Sequence, residues 1–383
     1  MTAARTHDAP RVVLAAGGTG GHMFPAEALA GALIAQGVEV VLITDKRGQA
    51  FGDSLPTVAV HRIRASRLPR HTLDRVRAVL EMGLGALEAR RKLRELAPAL
   101  VVGFGGYPSI PTVLAASSRK IPIVLHEQNA LLGRANRRLA SRARVIATSF
   151  ERVAKVPEGV ATELTGNPVR QGIIAMRDRP YVAPVKDGRF SLLVLGGSQG
   201  ARIFSELVPA AMALLPDVLK GRLSIVQQCR PEDIELATAA FREAGVDAEL
   251  STFFADVPRR LDECHLVIAR SGASTVAELG VVGRPAILVP YPFATDDHQS
   301  TNAEAFAASG GGWVISQRVL TPKLLADRLS MLLAQPDTLA RAAEASRRHG
   351  RPDAAERLAR LVLSQIGRGW IPTHPISLKD AAA

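Results

Sequence analysis

Short apolar runs alternate along the chain with glycine-rich or polar stretches and with longer segments of helical periodicity. Residues 11–16 and 39–44 are nearly uninterrupted apolar runs, too short for a helix and too uniform for a half-exposed strand. They read as strands buried on both faces. Between them Leu29 and Leu33 recur at helical spacing, which predicts a helix over about 26–36 and makes 11–44 one βαβ unit. Further buried strands are expected at 99–104 and 121–125. The second half repeats the style, with strands at 191–195, 223–227, 266–269 and 285–290. A helix follows the first of these, with Ile203, Leu207, Ala211 and Leu214 on one face. A last helical pattern covers about 353–366. Strands alternating with helices predict an α/β protein with parallel sheets.

Two of the predicted strands break into glycines and then into a helix. Gly17-Gly18-Thr19-Gly20-Gly21-His22 follows the first, and Gly196-Gly197-Ser198-Gln199-Gly200-Ala201 follows the strand at 191–195. Such a turn presents bare backbone N–H groups at the positive end of a helix dipole, an arrangement that binds phosphate. Two copies in 383 residues suggest twin nucleotide-type domains facing a common cleft. Gly166-Asn167-Pro168-Val169-Arg170 punctuates the chain between them. The polar loops Gly105-Gly106-Tyr107-Pro108-Ser109 and His126-Glu127-Gln128-Asn129 should share one rim with the first glycine loop, beyond the carboxyl ends of the strands.

Composition and motif spacing narrow the chemistry. Two cysteines, Cys229 and Cys264, support neither a zinc site nor a disulfide framework and fit a reducing compartment. The N-terminal residues lack the pattern of a signal peptide. The uncharged stretch 96–118 is long enough to span a bilayer, but its prolines and glycines divide it into a buried strand, a turn and a short helix. A net charge of +12 calls for anionic partners, yet no nucleic-acid-binding motif is visible. Met23 stands where a dinucleotide fingerprint needs glycine, and no Gly-Lys-Ser/Thr follows either loop. Asp45, at the end of the second strand, is the one feature favouring a dehydrogenase. Asp296 and Asp297 are adjacent rather than spaced as metal ligands, so no metal is expected.

His22, at the helix entry, is either a neutral imidazole able to take a proton or a residue that orders the loop. Glu278, two turns into a helix that starts near Ser271-Gly272-Ala273, either accepts bonds from a ribose diol or is simply solvated. Residues 62–95 carry ten Lys/Arg against four Asp/Glu, interleaved with leucines and valines. That segment either lies on an anionic bilayer or packs its apolar face on the domain.

Together these motifs resemble the MurG family. The match runs in order through the first glycine loop, Gly105-Gly106-Tyr107, His126 to Asn129, Gly166 to Arg170, the second glycine loop, Arg270-Ser271-Gly272-Ala273, Glu278, and His298-Gln299 with Asn302-Ala303. The resemblance implies the B-type glycosyltransferase architecture, two Rossmann-like domains facing a deep cleft. It implies an acceptor- and membrane-facing domain over 1–168 and a UDP-sugar domain over 169–350. A helix over 351–367 would pack back on the first domain, ahead of a tail at 368–383. The implied reaction transfers N-acetylglucosamine from UDP-N-acetylglucosamine to an undecaprenyl-pyrophosphoryl-muramoyl-pentapeptide, with inversion to a β-1,4 linkage. It needs no cofactor and no nucleic acid.

By the same resemblance, Ser198 and the backbone at Ala273 hold the diphosphate, and Ser274, Thr275, Val276 and Ala277 belong to the donor site. Glu278 holds the ribose, the backbone near Phe254 the uracil, and Gln299 the sugar. Asn129, Arg170 and the loop residues Thr19, Gly20 and Gly21 complete the donor contacts. Gly18, Tyr107, His126, Glu127 and Gln128 face the acceptor, and His22 is the catalytic base. The implied location is the cytoplasmic face of the bacterial inner membrane, as a peripheral protein on its anionic surface. A glycosyltransferase acting on a diacylglycerol or sterol and a non-catalytic nucleotide-sugar-binding regulator are the competing readings.

Overall fold

The computed structural model describes residues 9–18, 20–46, 55–66, 72–197 and 200–366. Two compact units divide the chain, Met1–Arg170 with Asp353–Ala383, and Gln171–Pro352. In chain order the first holds β1 (Arg11–Ala15), α1 (Gly20–Ile34), β2 (Glu39–Asp45), β3 (Ala59–Ile63), α2 (Thr72–Leu96), β4 (Leu100–Gly103) and α3 (Gly106–Ser118). It continues with β5 (Ile123–Glu127), α4 (Arg134–Leu139), β6 (Val145–Thr148) and β7 (Thr162–Leu164). The second unit holds α5 (Gln171–Ile174), β8 (Phe190–Leu195), α6 (Arg202–Ala213), α7 (Asp217–Lys220), β9 (Leu223–Gln228), α8 (Ile234–Glu243) and β10 (Ala248–Ser251). There follow α9 (Val257–Glu263), β11 (Leu266–Ala269), α10 (Ala273–Val282), β12 (Ala286–Leu288), α11 (His298–Ala308), β13 (Gly312–Val314), α12 (Pro322–Leu333) and α13 (Pro336–His349). The chain then returns to the first unit with α14 (Ala354–Ser364), which packs on α1.

Both sheets are wholly parallel, with orders β3-β2-β1-β4-β5-β6-β7 and β10-β9-β8-β11-β12-β13. In each, the order reverses beside the strand that precedes a glycine loop, between β1 and β4 and between β8 and β11. An open α/β sheet binds its ligand outside the carboxyl ends of the strands at that reversal. In register, Val13 lies between Val41 and Val101, and Val194 between Gln227 and Ile268. The central strands are buried on both faces, which is why they read as continuous apolar runs.

Three departures from the sequence reading matter for the site. First, α1 starts at Gly20, six residues before the expected helix. Pro25 forfeits only the bond to the Gly21 carbonyl, so the first turn survives a residue that usually marks a helix start. Gly20, Gly21 and His22 are therefore helical. Second, β5 extends through Glu127, and α3 already begins at Gly106, so His126 and Glu127 are strand and Tyr107 is helix. Third, Leu214 caps the end of α6 and is exposed, while Leu215 takes the buried place expected of it. The stretch 96–118 is β4, a glycine turn and α3. No helix among the described residues is long and apolar enough to cross a membrane.

Candidate active site

In the first unit the rim is built by backbone conformations that only glycine adopts easily. Gly18, Gly105 and Gly106 all have positive φ. A side-chain carbon on Gly17 would lie 2.8 Å from the Thr44 hydroxyl and 2.9 Å from Pro108, so β1 and α3 meet through that missing group. Tyr107, in the first turn of α3, donates its hydroxyl to Asp45 at 2.8 Å, which ties α3 to the end of β2. Asp45 is buried there, engaged by protein. Thr19 lies outside the described residues. Arg170 stacks its guanidinium over the Phe24 ring, 5.0 Å from the centroid.

Three of the residues assigned to the acceptor are not at the surface. His126, Glu127 and Gln128 are 0%, 2% and 2% exposed: the first two end an interior strand and Gln128 follows it directly. Glu127 spends both carboxylate oxygens on the following segment. Oε1 accepts from the Asn129 backbone and side chain, at 3.1 and 3.0 Å. Oε2 accepts from the Gly133 backbone at 2.9 Å and from Asn136 Nδ2 at 2.9 Å. Asn136, which also donates to the His126 carbonyl at 3.0 Å, belongs to this scaffold. Nothing in an arginine-rich short helix marks that residue in the sequence.

Burial pulls the His126 imidazole down to about 4, against a bond to the Gly166 carbonyl that favours the charged form; the neighbouring His22 adds to the lowering. An unfolded chain binds this proton below about pH 6.5. Between about pH 6.5 and 4 the unfolded state therefore holds a proton that the native state excludes, and stability falls as pH falls through that window. The full effect is about 3 kcal/mol, reached near pH 4. Thermal unfolding at pH 7 and 4.5 should show a smaller acid-induced drop for His126→Gln than for the parent. Equal drops would assign the acid sensitivity to other groups.

In the second unit the glycine loop turns equally tightly. A side-chain carbon on Gly196 would fall 2.5 Å from the Ala201 nitrogen, and Gly197 and Gly200 have positive φ. Ser198 and Gln199 lie outside the described residues. Beside this loop, β11 leads into α10, whose N-cap is Gly272 with no side-chain cap. The Val276 N–H closes the first turn onto the Gly272 carbonyl at 3.0 Å, and the Val276 side chain is buried. Val276 thus offers no contact group, whereas the N–H groups of Ala273, Ser274 and Thr275 have no place in the intrahelical ladder. The Ser274 hydroxyl is buried without a hydrogen-bond partner among the described residues.

Further contacts hold α10 in place. Ser271 donates to the Gln299 carbonyl at 2.7 Å, and Asn302 Nδ2 donates to the Ser271 carbonyl at 3.1 Å. Gln299 Oε1 accepts from the Tyr291 backbone at 2.9 Å. Arg270 donates to the carbonyls of Val289 and Pro290, both at 3.1 Å, and to Gln317 at 2.7 Å. Burial lowers its guanidinium to about 10. The Phe254 ring is buried under the Arg260 guanidinium, 4.2 Å away. Glu278 sits on α10, partly buried, one turn beyond Ser274.

Residues 12–148 match the glycosyltransferase family 28 N-terminal domain and residues 191–358 the C-terminal domain of that family. A Rhodospirillum centenum protein is 56% identical over 97% of this chain and 98% of its own length. It is named UDP-N-acetylglucosamine--N-acetylmuramyl-(pentapeptide) pyrophosphoryl-undecaprenol N-acetylglucosamine transferase. A Paramagnetospirillum magneticum protein of the same name is 54% identical over 93% of this chain and 97% of its own. Among solved structures, the Acinetobacter baumannii MurG crystal structure superposes with a TM-score of 0.75 at 30% identity, covering 93% of this chain and 99% of that one.

The chain belongs to the MurG family. It is a glycosyltransferase with two Rossmann-like domains. The same fold recurs in a Neisseria meningitidis UDP-GlcNAc 2-epimerase at a TM-score of 0.62 and 14% identity, over 92% of this chain and all of that one. The MurG family's glycine loops thus sit at the reversal points of two parallel sheets. The buried state of His126, Glu127 and Gln128 separates, within that motif, the residues that scaffold from those that reach the rim.

Proposed function

We propose that this protein transfers N-acetylglucosamine from UDP-N-acetylglucosamine to the muramyl hydroxyl of an undecaprenyl-pyrophosphoryl-muramoyl-pentapeptide. The observation that carries the reading is the 56% identity, across nearly the whole chain, to a transferase named for that donor and acceptor. The second unit binds the donor. Its diphosphate meets the uncapped start of α10, where the N–H groups of Ala273 to Thr275 and the Ser274 hydroxyl stabilise charge as UDP leaves. Glu278 accepts from the ribose. In the first unit His22 removes the proton from the attacking hydroxyl. The hydroxyl oxygen bonds to the anomeric carbon as the bond to the UDP oxygen breaks, and one displacement turns the α-linked donor into a β-linked product. Transfer of labelled N-acetylglucosamine from the UDP donor to the lipid-linked acceptor tests the reading. Transfer to a diacylglycerol or sterol in its place would overturn it.

Glu278→Ala is expected to weaken the donor by roughly 1.5–3 kcal/mol, because it removes a charge-assisted hydrogen bond. A titration with UDP-N-acetylglucosamine reads this directly. Unchanged affinity in the folded variant would remove Glu278 from the donor site.

A lipid-linked acceptor requires the enzyme to work at a bilayer surface, and α2 supplies the docking face. Val76, Val79, Leu80, Leu84 and Leu87 are all exposed on it at helical spacing, and Arg77, Arg90, Arg91 and Arg94 are exposed beside them. An apolar stripe flanked by arginines suits the boundary between anionic headgroups and acyl chains. Each basic residue near such a surface contributes about 1 kcal/mol. Binding to vesicles should therefore rise with anionic lipid content and fall with salt. Replacing Arg70, Arg75 and Arg77 with glutamine should weaken it while UDP affinity is kept; Arg70 and the Arg75 side chain lie outside the described residues. Equal binding to neutral and anionic vesicles would rule out this surface.

A further inference from the structure

Three side chains and two backbone carbonyls of the first unit form one hydrogen-bonded line. His22 Nδ1 lies 3.2 Å from Gln128 Oε1. Gln128 Nε2 lies 3.0 Å from His126 Nδ1 and 2.9 Å from the Phe104 carbonyl. His126 Nε2 lies 3.1 Å from the Gly166 carbonyl. Both ends that touch backbone are carbonyl oxygens, which only accept. The Phe104 carbonyl therefore requires the Gln128 NH2 on its side, which turns Oε1 toward His22. The Gly166 carbonyl requires the His126 proton on Nε2, which leaves His126 Nδ1 as a lone pair for the second Gln128 N–H. The polarity of the whole line follows, and the His22 nitrogen facing Oε1 must carry a hydrogen.

We infer that Gln128 and His126 are positioning residues that hold His22 in its Nδ1–H tautomer, so that Nε2 is the nitrogen presented to the acceptor hydroxyl. A neutral imidazole has one lone pair on a ring nitrogen, and a hydrogen bond at the other nitrogen decides where it lies. Free imidazole side chains prefer the proton on Nε2, so an unassisted His22 would present the wrong nitrogen. Gly106 completes the arrangement. A side-chain carbon there would sit 3.3 Å from His22 Nε2 and 3.3 Å from Cδ2, so glycine leaves that edge of the ring uncrowded. The line also accounts for why His126 and Gln128 are buried in a motif expected to meet the acceptor: they act on it through His22.

The role in catalysis rests on the proposed transfer reaction; the tautomer does not, and the two are tested separately. In the full chain labelled with 15N-histidine, spectra of the two-bond N–H couplings distinguish protonated from bare ring nitrogens. His22→Gln and His126→Gln spectra assign the signals, and titration in the same spectra finds a pH at which both rings are neutral. The expected result is Nδ1–H at His22 and Nε2–H at His126. Gln128→Met keeps the side-chain length and removes the line. It should shift His22 toward Nε2–H and lower kcat by about 10- to 100-fold, with KM for UDP-N-acetylglucosamine within about twofold. An Nε2–H tautomer at His22 in the parent protein would overturn the inference, as would a Gln128→Met variant whose His22 tautomer or kcat is unchanged. Absence of transfer by the parent protein would instead remove the proposed reaction and leave the tautomer result standing.

Discussion

His22→Ala is expected to lower kcat about 100- to 10,000-fold, the range lost when a positioned general base is removed. KM for UDP-N-acetylglucosamine should change little, because His22 lies in the first unit and the proposed diphosphate contacts on α10 lie in the second. The effect is expected to be this large because the ring is held at Nδ1 by Gln128 and has an uncrowded Nε2 edge beside Gly106. A base prepared in that way cannot be replaced by a water molecule at the same position. Initial rates at saturating acceptor, with donor concentration varied, separate the two parameters. A variant that keeps kcat within threefold would make His22 a loop-ordering residue and move the base elsewhere. A variant that loses donor affinity and kcat together would place His22 in donor binding.

The largest stability effect is expected at Arg284, whose side chain is 1% exposed. Its guanidinium donates to the carbonyls of Leu261 and Asp262, both at 2.6 Å, and to Asp262 Oδ1 at 3.0 Å. Tyr181 stacks against it with the ring centroid 5.3 Å away. Arg284 directly follows Gly283, the left-handed cap of α10, so it clamps the end of α10 to the end of α9. Arg284→Ala removes the donors, leaving the Leu261 and Asp262 carbonyls without them and the partly buried Asp262 carboxylate with Arg179 as its remaining cation. Two buried carbonyls left without donors, at about 1–3 kcal/mol each, together with the weakened ion pair cost about 3–5 kcal/mol. For a unit of this size that is a Tm lower by roughly 6–20 °C. Calorimetry of the full chain should show the loss, with Arg284→Lys intermediate because ammonium keeps the charge without the planar fork. A shift under about 2 °C would mean that this end of the unit relaxes around the lost side chain.

The interior of both sheets was legible in the sequence, and their margins were not. β1, β2, β4, β5, β8, β11 and β12 announce themselves as apolar runs because neighbours cover both their faces, whereas β9 alternates buried and partly buried positions. The four edge strands, β3, β7, β10 and β13, escaped notice. They are three to five residues long, mostly partly exposed, and include polar residues such as His61, Arg62 and Glu163. With one side unpaired they need no apolar run. The buried strand β6 was missed as well, although it is as long as β4 and β11.

For the site, glycine loops and helix starts were readable because they rest on local chemistry. What the sequence hid was burial. His126, Glu127 and Gln128 look like a polar loop, but pairing with β4 and β6 makes the first two a strand end, and partners distant in sequence (the Gly166 and Phe104 carbonyls) meet the buried side chains of His126 and Gln128. No local pattern carries contacts across such separations. α1 departed in the opposite direction, beginning at Gly20, six residues before the start that Leu29 and Leu33 suggested.

The return of the chain to its first unit has a consequence for how the molecule is made. Leu358, Leu361 and Val362 of α14 share a core with Val12, Leu14, Leu29 and Leu33. Those partners leave the ribosome first, and α14 is translated only after the whole of 171–352. The second unit can complete its sheet during synthesis, whereas the first must wait with one apolar face uncovered, the condition under which nascent chains associate wrongly. Emergence of α14, rather than of the N-terminal half, is the event that lets the half bearing His22 close its core.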